Sequence, residues 1–298
     1  MNIPAGILFQ LCATLSFAAM QALVRGVADA MPSGEVVFAR SFFGLIPLLI
    51  WLAWRGELRS VSTRNVPGHI VRGLIGVASM WFGFAALAYI PLAESIAFTY
   101  VTPLVTVVLA ALLLSEKVPG YRWIAVGIGL VGIMVMLAPL FSEHGLAAEG
   151  AYFGVSFALA GALLSGFAMI QVRRLTLTES TGAIVFYFST VAAAASLVTA
   201  PWWVLPNLWD GVALVAMGLL GGVGQIFLTT ANRSAPASVV APFNYATLLW
   251  AVFFGAIFFQ EWPHPLVFCG AALVVASGVG IAWRERHVER RSRSRTLP

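Results

Sequence analysis

Apolar runs of about twenty residues recur along the chain, separated by short polar or proline-bearing connections, and a helix needs about that length to cross the hydrocarbon of a bilayer. Ten such runs are read, at 3–24, 34–54, 68–89, 92–114, 121–139, 150–172, 181–201, 209–231, 237–259 and 265–283. Several connections are only a few residues long, so sequence neighbours are expected as antiparallel hairpins. Ala28, Asp29 and Ala30 imitate a signal-peptide cleavage site after the first run. That run lacks a basic leader and is too long for a signal core, so it is read as a helix. The expected fold class is all-α and integral to the membrane.

The pattern also repeats. Residues 91–116, PLAESIAFTYVTPLVTVVLAALLLSE, return at 236–261 as PASVVAPFNYATLLWAVFFGAIFFQE, a constant 145 residues later. Pro91 then meets Pro236, Phe98 meets Phe243, Tyr100 meets Tyr245, Thr102 meets Thr247 and Glu116 meets Glu261. Earlier segments agree: Phe17, Ala18 and Gln21 correspond to Phe167, Ala168 and Gln171 at an offset of 150, and Gly73 and Gly76 to Gly218 and Gly221 at 145. Five spans is an odd number, so a second copy enters the membrane from the opposite face. The expected organisation is a first five-helix repeat at 1–142, an inverted second repeat at 143–284, and a basic cytoplasmic tail at 285–298.

Composition fits this picture. The chain is 60% hydrophobic and only 10% charged, against about a quarter charged in an ordinary soluble domain. The net charge of +5 reflects six basic residues between Arg284 and Arg295, and no basic patch is interleaved with aromatics as nucleic-acid binding needs. Cys12 and Cys269 have no metal-ligand spacing around them, so no metal site is expected. Threading ten spans from a cytoplasmic N-terminus puts Arg55, Arg59, Arg64, Arg72, Lys117, Arg122, Arg173, Arg174, Arg233 and the tail arginines on the inner side. Short connections rich in Arg and Lys stay in the cytoplasm, so both termini are expected there, in a bacterial-type inner membrane. The sequence carries no P-loop, soluble nucleotide-binding domain or nucleophile constellation, so neither an enzyme nor an ATP-driven pump is expected, and no cofactor. No Asp or Glu lies near the centre of a span, so no carboxylate proton relay is visible.

The candidate chemistry is polar groups inside apolar runs. Ser95, Thr99, Thr102 and Thr106 recur at steps of four, three and four, one helical face. Asn244 and Thr247 stand at the positions equivalent to Thr99 and Thr102. Gln21, Gln171 and Gln225 are amides that must face one another or a wet cavity. Trp81, Tyr100, Tyr187, Tyr245 and Trp250 are candidates for an aromatic wall. Each has a plainer reading: hydroxyls bond back to their own helix, and aromatics pack or anchor at the interface. Arg40, the one basic residue inside a span, can pair with Glu94, snorkel outward, or receive a substrate carboxylate, with Glu35 as a competitor. Glu116 and Glu261 are read as hinge caps on the helix that follows each. Pro91 and Pro236 open helices, and Pro103 and Pro242 should bend them.

The paired segments ALAYIPLAESIAFTYVTPLVTVVLAALLLSEKV and ANRSAPASVVAPFNYATLLWAVFFGAIFFQEW, each followed by a glycine-rich last span, together with FARSFFGLIPLLI around Arg40, resemble the EamA-type members of the drug/metabolite transporter superfamily over almost the whole chain. The resemblance implies ten helices around a central cavity, with small-molecule substrates such as amino acids, amines, nucleosides or vitamins, and export as a frequent role. The expected function is a secondary transporter that exports amino acids or related metabolites by alternating access without ion coupling. The alternatives are uptake of a vitamin or nucleotide-like cofactor, and a lipid flippase or scaffold. The expected partners are membrane lipid and a small solute, with the chain a monomer or loose homodimer.

Overall fold

The computed structural model describes residues 3–113, 119–141, 150–235 and 240–295. Among the described residues all regular structure is helical. The α-helices are α1 (Ile3–Val27), α2 (Ser33–Trp54), α3 (Val66–Ala86), α4 (Leu92–Thr99), α5 (Val101–Leu113), α6 (Gly120–Leu137), α7 (Ala151–Leu175), α8 (Thr181–Ser196), α9 (Leu208–Ser234), α10 (Ala246–Phe259) and α11 (Pro265–Arg295). Seven segments are long and apolar enough to span a bilayer, α4 and α5 counting as one and α8 together with the 3-10 turns after it as another; three shorter apolar helices, Trp123–Leu137, Phe243–Phe259 and Pro265–Gly280, bring the set to ten. Large apolar side chains such as Leu8, Ile50, Leu112, Ile124, Leu249 and Phe258 stand exposed on the outside, where lipid and not water is the favourable neighbour. α11 continues through the arginine-rich stretch and stays helical to Arg295.

The fourth span is broken where the sequence expects a bend. Proline has no N–H to give the carbonyl four residues back, so Pro103 leaves the Thr99 carbonyl without its helical partner. The chain divides there, α4 ending at Thr99 and α5 starting at Val101. The equivalent stretch of the ninth span, Ala241–Tyr245, is a 3-10 turn containing Pro242 that leads into α10. Pro47, inside α2, is a third interruption.

Packing runs across the chain more than along it. α1 lies against α9, and α3 against α7; α2 touches α8 and α9; α3 touches α8; α6 lies along α11. Glycines permit the closest approaches. A Cβ on Gly222 would meet Pro47 and lie 2.5 Å from the Gly44 carbonyl oxygen, and one on Gly132 would lie 2.7 Å from the Gly270 carbonyl oxygen. Small residues at such crossings let helices pack without a hydrophobic driving force.

The two ends of the bundle differ. At one, Glu57 lies between Arg55 (2.9 Å) and Arg233 (3.3 Å), joining the ends of α2 and α9. The hydrogen bonds from Arg55 and then Arg233 hold the Glu57 carboxyl below the usual carboxylate range. At the other end α10 stops at Gln260, a non-glycine residue at φ 56°, and the Glu261 N–H returns to the Gly255 carbonyl. This C-terminal motif turns the chain and aims the Glu261 carboxylate back at the bundle.

Candidate functional site

A cavity of about 170 Å³ lies among α1, α3, the α4–α5 span and α7. Gln21, Ser79, Ser95, Thr99, Thr102 and Ser165 give it polar atoms; Met20, Phe84 and Ala158 give it apolar wall. At about 1.5 Å per residue, Thr99 lies roughly 10 Å and Thr102 roughly 15 Å below the start of α4, so the cavity reaches the middle of the span. Its hydroxyls serve two purposes at once. Thr99 donates to the Ile96 carbonyl at 2.7 Å, Thr102 reaches across to the Ala162 carbonyl at 3.3 Å, and Ser79 donates to the Gly161 carbonyl at 2.8 Å. Each keeps oxygen lone pairs for a solute. Thr106, next on the same face, bonds back to the Thr102 carbonyl.

The equivalent residues of the second half do not share this cavity. Asn244 is exposed and accepts from the buried Gln10 amide at 2.5 Å, while Thr247 donates to the Asn244 carbonyl. Gln10 was not among the expected residues, although the signal was available: Gln10, Thr14 and Gln21 stand at intervals of four and seven, one face of α1. Tyr100 and Tyr245 do meet, edge to face, with centroids 5.1 Å apart. The other aromatics do not join them in a wall. Tyr187 stacks on His69 at 4.6 Å, and Trp81 and Trp250 bury indole N–H groups that have no partner among the described residues. Gln171 is half-buried on α7 and does not line the cavity.

Arg40 contradicts one expectation. No ion pair with Glu94 forms among the described residues; the guanidinium instead lies 5.7 Å from the Phe188 ring centroid, beside Gln225 in a small pocket between α2, α8 and α9. Glu35 is also engaged elsewhere, accepting from the Val204 N–H at 3.1 Å. Arg72, expected near the inner connection, shares the same ring at 4.3 Å. Its Nε and Nη1, and the Nε of Arg40, are buried without a partner. A desolvated cation–π contact gives about 2 kcal/mol, whereas keeping an ion unpaired in a low dielectric costs several kcal/mol. One phenylalanine therefore does not compensate two guanidinium groups. His69, one turn before Arg72 and fully buried, lies 3.4 Å from the Glu179 carboxylate.

Glu261 also departs from expectation in its partner. It caps a helix, but the one 169 residues earlier: the Leu92 N–H donates to its Oε2 at 2.9 Å and the Arg25 Nε to its Oε1 at 3.0 Å. The ends of α1, α4 and α10 are tied together just above the cavity, with Pro91 preceding the capped helix. Glu94 is half-buried in the first turn of that helix. Glu116 and Pro236, which correspond in sequence to Glu261 and Pro91, lie outside the described residues.

A larger apolar groove, about 560 Å³, runs between α1, α9 and α10, with Asp210 its one charged lining residue. It has too few polar groups to orient a solute, so the smaller cavity is the better candidate.

Comparison with known proteins finds transporters. The model of the EamA-like transporter family matches twice, over residues 4–138 and 152–283. The chain is similar to the pseudopaline exporter CntI of Pseudomonas aeruginosa (strain UCBPP-PA14), at 30% identity over 93% of this chain and 96% of that protein. It is also similar to the S-adenosylmethionine uptake transporter of Rickettsia conorii, at 27% over 94% and 93%, and to the riboflavin transporter of Vibrio cholerae, at 28% over 97% and 96%. A solved crystal structure superposes with a TM-score of 0.64 over 95% of this chain and 99% of that one, at 21% identity, a likeness of fold.

Proposed function

The chain belongs to the EamA-like transporter family, and from that premise we propose that it exports amino acids or related small metabolites across a bacterial inner membrane by alternating access. The observation that carries this reading is the cavity around Gln21, Ser95, Thr99 and Thr102, a mostly apolar chamber with a few convergent polar atoms. It sits under the Arg25–Glu261–Leu92 contact, and release of that contact is the step that opens that end.

Alternating access needs two halves that can exchange conformations, and the packing supports such a pair. Replacing each span by the one five further on turns the α1–α9 contact into the α7–α3 contact, and the α2–α9 contact into the α8–α3 contact. The agreement extends to residues. Gly73 abuts Val191 as Gly218 abuts Phe43, and Gly76 abuts Phe188 as Gly221 abuts Arg40. We read the halves as inverted, with both termini cytoplasmic, because the arginine-rich connections then share one face. The expected boundaries at 1–142 and 143–284 belong to the same reading.

The substrate's own gradient drives this export. Similarity to a riboflavin transporter and to an S-adenosylmethionine uptake transporter favours a second reading, uptake of a vitamin or nucleotide-like cofactor. Counterflow in proteoliposomes with labelled amino acids, vitamins and nucleosides separates the two. Exchange of an amino acid, lowered about three- to tenfold by Thr99→Val through loss of one hydrogen bond, supports the first. Exchange confined to vitamins or nucleosides supports the second. Lipid scrambling without exchange of any water-soluble solute overturns both.

A further inference from the structure

We infer that Arg40 and Arg72, converging on Phe188, form a binding subsite for one anionic group: a carboxylate of the transported solute, or an inorganic anion such as chloride. The two guanidinium carbons lie 5.7 Å and 4.3 Å from the same ring centroid, so they are no farther apart than those two distances laid end to end. Neither has an acidic partner among the described residues. Three of their N–H-bearing nitrogens, Nε of Arg40 and Nε and Nη1 of Arg72, are buried and unpaired. Two like charges held this close in an apolar bundle repel each other and lack the hydration they would have in water, and a shared anion relieves both costs.

No neighbouring element supplies a counter-charge among the described residues. On α3, His69 lies one turn from Arg72, and the nearby Glu179, from the connection before α8, is taken up by that histidine at 3.4 Å. On α2, Glu35 caps the Val204 amide. From α8 the pocket receives Val185, Phe188 and the buried Ser189, and from α9 Gly221, Gly222 and Gln225, none of them acidic. Ser189 and Gln225 add neutral donors around Arg40. The void beside Arg40, which Arg72 approaches across the Phe188 ring without lining it, is about 10 Å³, the threshold for a single water-sized occupant. An anionic oxygen or small halide therefore enters with a modest side-chain shift, helped by glycine on the facing stretch of α9. A guanidinium fork is suited to such a guest because it presents several N–H groups in one plane.

The inference rests on the transporter reading only for the source of the anion, not for the site itself. Its test is binding, so it can fail while counterflow succeeds, or the reverse. The full-length protein is purified and its melting temperature followed against sodium chloride, sodium acetate and sodium succinate, with succinamide as the uncharged control. Arg40→Gln, Arg72→Gln and the double variant are measured at the same salt concentrations to remove ionic-strength effects. The wild type is expected to show a saturable rise of about 5 °C at high excess over Kd, reduced in each single variant and absent in the double variant; succinamide gives no rise. Removing an unpaired buried charge should leave the variants at least as stable as wild type without added anion, so loss of the response is not loss of fold. A rise with chloride equal to that with the carboxylates assigns the site to an inorganic anion; a larger rise with the carboxylates assigns it to a solute's carboxylate. No saturable rise in wild type, or the same rise in the double variant, overturns the inference.

Discussion

Glu261 illustrates how one side chain can act at a distance the sequence hides. Its carboxylate, only 14% exposed, accepts from the Arg25 guanidinium and from the Leu92 amide. Glu261→Gln keeps the shape but loses the charge, and the expected cost is about 1–2 kcal/mol, since hydrogen bonds to charged groups are strong but this pair is partly wetted. Arg25→Gln should cost a similar amount. The double variant should fall short of their sum by at least about 0.5 kcal/mol, read as a double-mutant cycle on thermal melts; simple additivity would mean the two do not interact. That Glu261 caps a helix was readable from the residues around it. That the helix is α4 was not, because a residue 169 positions earlier in the chain leaves no local trace. Arg72 was hidden for the opposite reason: beside a polar connection it reads as a surface arginine, and only the fold carries its head group to Phe188.

Helices were the most readable scale. Pro103 announced the division between α4 and α5, and Pro242 the 3-10 entry into α10, because a missing N–H has the same consequence wherever it stands. Ser95, Thr99 and Thr102 line one cavity, and their spacing was legible because 3.6-residue periodicity is a property of the helix alone. Which helix that face meets was not readable, and so Asn244, equivalent in sequence to Thr99, faces Gln10 instead of the cavity. Glycine contacts give a test at this scale. Gly222 would drive a Cβ into Pro47 and the Gly44 carbonyl, while Gly127 has open space around it. Gly222→Ala is expected to destabilise by about 1–3 kcal/mol through overpacking, and Gly127→Ala to gain about 0.5–1 kcal/mol from helix propensity. Thermal melts of the two variants measure the difference; equal effects would mean that α2 and α9 do not pack as described.

For the molecule as a whole, the sequence repeat and the packing make the same statement by independent routes. One is a constant offset between like residues; the other is a set of helix contacts that persists when every span is exchanged for the one five further on. Alternating access depends on that exchange being an inversion, because only inverted halves let one structure face both sides of the membrane in turn. Ser62, after the second span, and Leu205, after the seventh, are exposed residues in corresponding connections. With Cys12 and Cys269 replaced by alanine, Ser62→Cys and Leu205→Cys can each be challenged with a membrane-impermeant maleimide in intact cells and again after lysis. Leu205→Cys should label in intact cells and Ser62→Cys only after lysis; both labelling from the same side would contradict the inverted arrangement.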